Sequence, residues 1–323
     1  MAVTLGPLDL VVVDSLETAL HTHFGWSRFR AGQRPVVEAV LSGRDALAVL
    51  PTGGGKSLCY QLPALIRGGL VVVISPLVAL MEDQVLQLRR RGISAACLHA
   101  GLDPVRRQQA MAALRDESLR LLYLAPERLQ GEATQRLLET HAAEGRLVAL
   151  AVDEAHCISA WGHDFRPDYR RLGLIRRLCP GVPMLALSAT AAPRVRADIL
   201  RLLDLRSPLV QVSSARRENL RYAMQRRPRD PMPQVLEALE QSRGATLIYA
   251  RTRRSVEHWA ERLQGQSVEA TPYHAGLDPA TRQTALTQFL EQERPVLVAT
   301  VAFGMGVDRG DVGLVLHLDL PST

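Results

Sequence analysis

Short apolar runs alternate with longer stretches of mixed polarity along the first two thirds of the chain. Five runs, at residues 46–50, 70–76, 119–126, 147–153 and 183–190, are apolar at nearly every position. Runs of this length and character predict strands that are buried on both faces. The stretches between them are long enough for crossover helices, so the pattern predicts a parallel sheet with helices on both sides.

A segment rich in arginine, serine and proline interrupts this alternation at residues 204–233 and is typical of a linker. The alternation then resumes, with apolar runs at 245–250, 295–300 and 313–320. A chain of 323 residues is long enough for two ordinary domains. We therefore predict two α/β domains, over residues 1–208 and 209–323.

A near-repeat links the two halves. LHAGLDPVRRQQAM occupies residues 98–111 and YHAGLDPATRQTAL occupies residues 273–286. Self-similarity of this kind favours two units of the same design. The alternative is that HAGLDP is simply a good strand-to-helix turn, because Asp-Pro often starts a helix.

Composition and charge narrow the class of protein. A net charge of +6 and a pI near 9.5 weakly favour polyanionic partners. The four cysteines show no C-x-x-C pairing, which argues against a zinc site or a disulfide framework. We find no charged leader of a secretory signal and no apolar run of about 18 residues, so we expect a soluble, cytoplasmic protein without a membrane partner.

The string PTGGGKS, at residues 51–57, follows the first predicted strand and precedes a helical pattern. Lys56 is the only lysine among 39 basic residues. Its ammonium is a compact charge that fits among close backbone amides, whereas a guanidinium is a wide planar fork. The glycines at 53–55 allow N–H groups to point at an anion, and Ser57 offers a hydroxyl to Mg²⁺. The string predicts a phosphate-binding loop, although Leu50 stands where glycine is usual; the alternative is a glycine-rich turn before an amphipathic helix.

A second polar cluster follows the apolar run at 147–153. It consists of Asp153, Glu154 and His156. In a fold that also has a phosphate loop, an acidic residue at a strand tip can hold Mg²⁺ directly or through water. Its neighbour can orient or deprotonate the attacking water. The alternative is a solvated strand end.

The segment 157–172 concentrates aromatic residues in a chain that is only 4% aromatic. Its aromatic residues recur every four positions and its arginines lie beside them: Trp161, Phe165, Tyr169, Arg166, Arg170 and Arg171. Gly162 and Pro167 interrupt a helix, so we predict an exposed loop. Rings and arginines on a loop suit stacking on unpaired bases and contact with phosphates. The alternative is that the rings pack in the core.

The string LSATA, at 187–191, puts Ser188 and Thr190 at the end of another strand. By itself the string is a weak signal. In a parallel sheet, however, ligands gather at the carboxyl ends of strands. We therefore expect this pair to sense the nucleotide and relay its state.

These residues resemble the RecQ family of DNA helicases, and the similarity covers nearly the whole chain. The matching segments are FGWSRFRAGQ (24–33), PTGGGKSLCYQLP, SPLVALMEDQV, LYLAPERL, DEAHCISAWGHDFRPDY, LSATA, YHAGL and VATVAFGMGVD (298–308). DEAH and GKS are shared by many helicases. The aromatic-rich segment and FRAGQ are far more specific to this family.

The resemblance implies two RecA-like domains that close on nucleotide, each an α/β domain with a parallel sheet covered by helices on both faces, the second incomplete at its C-terminus. It implies an enzyme that couples ATP hydrolysis to 3′ to 5′ translocation on single-stranded DNA and to strand separation in DNA repair and recombination. The implied cofactors are ATP and Mg²⁺, with no zinc in this chain. The implied partner is single-stranded or forked DNA, and we expect a monomeric, nucleoid-associated protein of bacterial type.

The family's motifs assign roles residue by residue. The implied ATP-binding residues are Phe24, Arg30, Gln33, Thr52, Gly53, Gly54, Gly55, Lys56, Ser57 and Asp308, with Gln33 reading adenine. The implied catalytic residues are Lys56, Asp153, Glu154 and His156, with Ser57 and Asp153 as magnesium ligands. The implied DNA-binding or coupling residues are Trp161, Phe165, Arg166, Ser188, Thr190, Thr300, Gly304 and Gly306.

The chain departs from the family's pattern in three places. Ala160 stands where the family usually has glutamine, and Ser188 where it often has threonine. In the family, a strand like VLHLDLPS leads into a helix whose arginines reach the γ-phosphate, whereas this sequence stops at Thr323. A trans-cleft arginine is worth about 10³-fold or more in related phosphoryl transfer, so we expect weak hydrolysis and little unwinding.

Two other classes of function stay open on sequence alone. One is a truncated nucleotide- and DNA-binding module without productive unwinding. The other is a P-loop kinase or small-molecule ATPase, against which the second α/β unit and the aromatic-rich segment argue. RNA also stays open as the bound strand, because stacking and phosphate contact do not inspect the 2′-hydroxyl.

Overall fold

The computed structural model of the chain describes residues 16–162, 164–214, 219–301, 303 and 309–319. The chain divides into two compact units, one ending at Leu220 and the other beginning at Arg221. Each unit is built on a parallel sheet with helices, which confirms the predicted fold class.

The first unit contains the following elements among its described residues. The strands are β1 (Ala46–Val49), β2 (Leu70–Ile74), β3 (Ala95–Leu98), β4 (Leu121–Leu124), β5 (Leu147–Val152), β6 (Met184–Ser188) and β7 (Leu209–Val212). The helices are α1 (Leu16–Phe24), α2 (Gln33–Leu41), α3 (Leu58–Arg67), α4 (Val78–Arg90), α5 (Pro104–Arg115), α6 (Glu132–Ala143), α7 (Gly173–Leu178) and α8 (Pro193–Leu202). Short 3₁₀ segments lie at Pro126–Gln130, Ala155–Ile158 and Pro167–Leu172.

The strands form one sheet in the order β3-β4-β2-β5-β6-β1-β7, and neighbouring strands are parallel. All residues of β1 to β6 except Val148 are buried, as expected for strands covered on both faces. The strands β2, β5, β6 and β1 are consecutive neighbours. The segments that follow these four strands therefore meet at one edge of the sheet.

The sequence pattern misses two strands of this sheet. Strand β3 is short and begins with two alanines, which have little preference for strands. Strand β7 pairs with β1 on one side only, and its Val210 and Val212 are exposed, so it lacks the continuous apolar run of a buried strand. Because β7 belongs to the first sheet, the structure divides after Leu220 and not at the predicted boundary after residue 208.

The described part of the second unit repeats the layered design. It comprises β8 (Ala245–Tyr249), β9 (Ala270–Tyr273), β10 (Val296–Ala299), β11 (Val312–His317), α9 (Met232–Gln241), α10 (Arg253–Gln264) and α11 (Pro279–Glu291). The sheet order is β11-β8-β10-β9. On β8, Leu247 packs in a cluster with Phe289 of α11, and Ile248 packs in another with Trp259 of α10. Successive side chains of a strand face opposite sides, so helices cover both faces. The pattern misses β9, an edge strand interrupted by Pro272.

The near-repeat in the sequence folds in the same way in both units. A buried histidine follows the strand in each, and its Nε2 atom lies against a glutamate of the preceding helix, at 3.4 Å for His99–Glu82 and 3.1 Å for His274–Glu257. An aspartate then caps the next helix with its side chain in both units. The shared turn supports the duplicated architecture.

A buried ion pair joins several elements around β1. Asp45, which precedes β1, pairs with Arg176 of α7, and both side chains are 5% exposed. Asp45 also accepts hydrogen bonds from the backbone N–H groups of Met184, at 2.8 Å, and Arg206, at 2.7 Å. One carboxylate therefore links α7, β6 and the segment before β7 to the strand that leads into the phosphate loop.

Across the described residues, we find no helix with the length and apolar character needed to cross a lipid bilayer.

Candidate nucleotide and nucleic-acid site

The phosphate-loop sequence lies between β1 and α3, at the edge where the strands of the first sheet end. Gly53 and Gly55 have left-handed backbones, with φ of 75° and 72°, which residues with a Cβ atom rarely adopt. A Cβ atom at Gly54 would lie 2.7 Å from the carbonyl oxygen of Pro51. Ser57 is the N-cap of α3, and its side chain makes no capping hydrogen bond. This strand, glycine loop and helix have the arrangement that the phosphate-loop prediction requires.

Gln33, the first residue of α2, and Arg30, which precedes the helix, contact this loop. The side-chain amide of Gln33 donates to the carbonyl oxygens of Gly54 and Gly55, at 3.1 and 2.9 Å. Its oxygen accepts from the backbone N–H of Arg30 at 2.7 Å, and the Arg30 guanidinium donates to the carbonyl oxygen of Gly53. Both predicted residues thus lie at the loop, whereas adenine recognition by Gln33 stays a prediction.

An exposed tryptophan lies beside these residues. Phe24, the predicted aromatic residue, is buried, and its ring stacks on Trp26 with centroids 5.4 Å apart. Trp26 is 43% exposed and lines a depression of about 350 Å³ together with Arg30 and Gln33. Arg91 lies 5.9 Å from both ring centroids. The ring exposed at this depression is therefore Trp26, and the nucleotide contact assigned to Phe24 stays a prediction. The missed signal was a tryptophan within the FGWSRFRAGQ segment.

Asp153 and Glu154 follow β5 directly. The backbone N–H of Asp153 donates to the carbonyl oxygen of Ile74 at 2.8 Å, and its Oδ1 atom accepts from the N–H of Glu154 at 3.0 Å. Burial and, second, the charge of Glu154 raise the pKa of Asp153 to about 6, against the opposing charge of Lys56. A cation bound here would favour the ionised carboxylate.

His156 connects this carboxylate pair to the end of β6. Its Nδ1 atom lies 3.0 Å from the Ser188 hydroxyl and 3.2 Å from Glu154 Oε2. The Ser188 hydroxyl donates to the carbonyl oxygen of Thr190 at 2.7 Å, so it accepts from His156. Nδ1 therefore carries a proton. The structure brings these four predicted residues into one hydrogen-bonded chain.

The aromatic-rich segment presents two rings to solvent and buries the third. Trp161 is 60% exposed and Phe165 is 37% exposed, as predicted for a loop that meets a ligand. The guanidinium carbon of Arg194 lies 3.5 Å from the Trp161 ring centroid, and that of Arg170 lies 4.9 Å from the Phe165 centroid. Tyr169 is fully buried, so the core interpretation is correct for this ring.

Hydrogen bonds join the same loop to the carboxylate edge. The guanidinium of Arg166 donates to the carbonyl oxygen of Pro76, which follows β2, at 2.8 Å, and pairs with Asp164 at 3.1 Å. The Tyr169 hydroxyl donates to the carbonyl oxygen of Asp153 at 3.0 Å. The loop is thus bonded to the segments that follow two neighbouring strands.

Fewer predicted residues are placed in the second unit. Thr300 follows β10, and its backbone N–H donates to the carbonyl oxygen of Tyr273 at 3.3 Å. Gly304, Gly306 and Asp308 lie outside the described residues. The roles assigned to all four stay predictions.

The donor groups at this edge fit a magnesium–triphosphate group. Backbone N–H groups of a glycine loop at a helix start bind phosphate oxygens, and Lys56 adds a mobile positive charge. Mg²⁺ prefers oxygen ligands, of which Ser57 offers a hydroxyl and Asp153 a carboxylate. A cation bound beside Asp153 would offset the burial that raises the pKa of this carboxyl to about 6.

A family model described as DEAD/DEAH box helicase matches residues 30–199, which is more than half of the chain. The chain belongs to the DEAD/DEAH box helicases. A second model, described as the helicase conserved C-terminal domain, matches residues 230–323 of this helicase.

The helicase is similar over nearly its full length to RecQ proteins. It is 43% identical over 316 residues to the ATP-dependent DNA helicase RecQ of Pasteurella multocida, and 42% identical over 305 residues to that of Haemophilus influenzae. The alignments cover 98% and 94% of this chain but 49% and 48% of the relatives, so the chain spans about half their length. The predicted RecQ resemblance is confirmed.

A solved structure shares the fold of this DEAD/DEAH box helicase. The Mycobacterium smegmatis helicase Lhr, bound to single-stranded DNA and AMP-PNP, matches with a TM-score of 0.64 over 95% of this chain and 44% of Lhr. The two sequences are 20% identical, so this likeness concerns the fold alone.

Proposed function

We propose that this chain is the core of an ATP-dependent DNA helicase that moves 3′ to 5′ along single-stranded DNA and separates strands. The observation that carries the proposal is the meeting of the phosphate loop, the Asp153–Glu154 pair and the aromatic-rich loop at one edge of the first sheet. The names of the RecQ relatives support DNA as the substrate. The direction of movement rests on the family resemblance.

Binding of the nucleotide is assigned to three groups of residues. Lys56 and the backbone of the glycine loop hold the phosphates, and Ser57 with Asp153 holds Mg²⁺, which neutralises charge on the phosphates. The exposed face of Trp26 stacks on adenine, with Phe24 supporting it from the other side. Base–aromatic stacking contributes about 1–3 kcal/mol, which is enough to favour a nucleotide over a bare polyphosphate.

Activation of water is assigned to Glu154. Its backbone is left-handed, with φ of 46° and ψ of 46°, immediately after the buried Asp153. His156 presents its protonated Nδ1 to both the Glu154 carboxylate and the Ser188 hydroxyl, which restricts the orientation of the carboxylate. The same contacts form the proposed route from the nucleotide to Thr190.

Contact with single-stranded DNA is assigned to the aromatic-rich loop. Trp161 and Phe165 offer exposed rings to unpaired bases, and Arg194 and Arg170 lie against these rings. Stacking is tolerant of sequence, while the arginines can neutralise backbone phosphates. Arg166 bonds this loop to Pro76.

Steady-state ATP hydrolysis, with and without single-stranded DNA, tests the proposal together with unwinding of duplexes that carry a 3′ or a 5′ tail. We expect DNA to stimulate a weak hydrolysis of ATP, and we expect the little unwinding that occurs to be confined to the 3′-tailed duplex. Lys56→Ala should abolish both activities. Binding of nucleotide and DNA without turnover would instead support a nucleotide- and DNA-binding module. Equal stimulation by RNA would contradict a DNA-specific motor.

A further inference from the structure

The buried ring of the aromatic-rich loop has a contact that its two exposed rings lack. Tyr169 is fully buried, and its hydroxyl donates to the carbonyl oxygen of Asp153 at 3.0 Å. Packing alone would be satisfied by a phenylalanine. The hydroxyl is therefore used for a specific contact with the backbone of the carboxylate pair.

That contact falls on the peptide group between Asp153 and Glu154. The carbonyl of this peptide is held by Tyr169, and its N–H is held by the Asp153 carboxylate at 3.0 Å. The next backbone is the left-handed one of Glu154, a conformation that non-glycine residues adopt rarely and hold only when their surroundings require it. The orientation of this peptide group determines the direction in which the Glu154 side chain projects from the backbone.

The other end of the connection is the DNA-facing part of the loop. The backbone N–H of Tyr169 donates to the carbonyl oxygen of Arg166 at 3.0 Å, within a single 3₁₀ turn. Arg166 in turn bonds Pro76, and Phe165 precedes it with Arg170 against its ring. A displacement of Phe165 or Arg166 therefore acts on Tyr169 through about one turn of backbone.

We propose that Tyr169 is a positioning residue that couples the position of the aromatic-rich loop to the orientation of the Asp153–Glu154 peptide group. It touches neither nucleotide nor DNA, and it acts through the backbone of the catalytic pair. This inference rests on the proposed function, because it requires that the loop bind DNA and that Glu154 serve the nucleotide site. It adds the physical connection through which one ligand affects the other.

The test measures the coupling between the two ligands, which does not depend on turnover. The affinity for a fluorescent, non-hydrolysable ATP analogue with Mg²⁺ is titrated with and without saturating oligodeoxythymidylate, and the ratio of the two dissociation constants is the coupling factor. We expect Tyr169→Phe to reduce this factor by about fivefold or more, while the affinity for each ligand alone changes less than about threefold.

Tyr123→Phe is the matched control. Tyr123 is also buried, and its hydroxyl hydrogen-bonds with Gln61 and Tyr60, each at 3.4 Å, and not with the 153–154 peptide. This variant loses the same atom and should keep the wild-type coupling factor. An equal loss in both variants, or an unchanged factor in Tyr169→Phe, overturns the inference.

Hydrogen exchange on the wild-type chain keeps the inference testable if Tyr169→Phe does not fold. Addition of oligodeoxythymidylate should change exchange in the segments 150–156 and 165–172 together. A change confined to the second segment overturns the proposed link. A wild-type chain that binds neither the analogue nor DNA overturns the proposed function itself, which is a different result from binding both without coupling.

Discussion

Lys56 lies in a loop whose glycines bring backbone groups close together, and every other basic residue of the chain is arginine. Trp26, Asp153 and Tyr169 also depend on specific neighbours. The Trp26 ring stacks on Phe24, the Asp153 carboxylate accepts from the Glu154 N–H, and the Tyr169 hydroxyl donates to a backbone carbonyl. At the residue scale, function should therefore be sensitive to changes that conserve charge or size.

Lys56→Arg should weaken binding of magnesium–ATP by about tenfold or more although it conserves the positive charge. The guanidinium fork is wider than the ammonium and cannot take the same place among the backbone amides. Isothermal titration calorimetry at fixed Mg²⁺ measures the change. Arg136→Lys, an exposed swap on α6, should leave the affinity unaltered. Wild-type affinity in Lys56→Arg would show that the single lysine is an accident of composition.

Trp26→Ala should weaken ATP binding roughly tenfold, which corresponds to the loss of one stacked base. Affinity for inorganic tripolyphosphate should not change, because that ligand has no base to stack. Trp161→Ala provides the crossed control, since it should lower affinity for single-stranded DNA and leave ATP binding intact. Equal losses for ATP and tripolyphosphate in Trp26→Ala would contradict the assignment of the base to this ring.

Asp153→Asn should stabilise the chain at pH 7 in the absence of metal and nucleotide. The pKa of Asp153 is raised from 3.8 to about 6 in the folded chain, mainly by burial. Ionisation therefore favours the unfolded chain, and stability is lost as the pH rises between these values. We expect a gain of about 3 kcal/mol at pH 7 that shrinks toward pH 4.5. Thermal unfolding followed by circular dichroism measures this gain in stability, and Asp116→Asn, at an exposed position, is the control. A gain that does not depend on pH would show that burial of the charge is not the cause.

The central strands of the fold are predictable from sequence, whereas three of the four edge strands among the described residues are not. Five runs with apolar residues on both faces predicted the strands β1, β2, β4, β5 and β6. The missed strands β3, β7 and β9 lie at sheet edges, where one side has no neighbour among the strands that the structure describes and short or polar sequences suffice. The apolar composition of a segment therefore indicates whether a strand is buried more directly than it indicates which strands pair.

The candidate site divides in a similar way. Contiguous motifs located the phosphate loop, the carboxylate pair and the aromatic-rich loop. The contacts of Gln33 with the loop, of Arg166 with Pro76 and of Tyr169 with Asp153 join segments that are distant in sequence. No local pattern encodes such contacts, because they follow from the order of strands in the sheet.

Arg176→Ala should destabilise the first unit by about 3–5 kcal/mol, because it leaves the buried Asp45 carboxylate without its counter-ion. The cost should appear as a lower midpoint in urea unfolding followed by circular dichroism. Arg136→Ala removes an exposed helical pair with Glu132 and should cost less than about 0.5 kcal/mol. Similar midpoints for the two variants would show that Asp45 does not depend on Arg176.

At the scale of the whole molecule, the chain carries a net charge of +6 through arginine. Single-stranded DNA is a polyanion whose bound counter-ions are released when arginines neutralise its phosphates. Binding to the proposed loop therefore depends on the ionic strength more than on the base sequence. The two compact units each contribute a parallel sheet, and the proposed DNA-facing residues of the aromatic-rich loop belong to the first.

Affinity for oligodeoxythymidylate should fall roughly 50- to 130-fold between 50 and 200 mM salt, if about four or five phosphates are neutralised. Arg170→Gln should lower the slope of log affinity against log salt by about 0.7, because it removes one phosphate contact. Fluorescence anisotropy measures both values. Arg136→Gln should keep the wild-type slope, and a slope near zero in the wild type would exclude binding through phosphates.

The position of β1 has a consequence for synthesis on the ribosome. This strand emerges early, yet its two partners in the sheet, β6 and β7, are made after the other strands of the unit. In nascent chains that end before Val212, β1 still lacks its complete neighbour β7, and the PTGGGKS segment follows β1 directly. Ribosome–nascent-chain complexes should therefore bind nucleotide only after β7 has left the exit tunnel, late in the synthesis of the first unit.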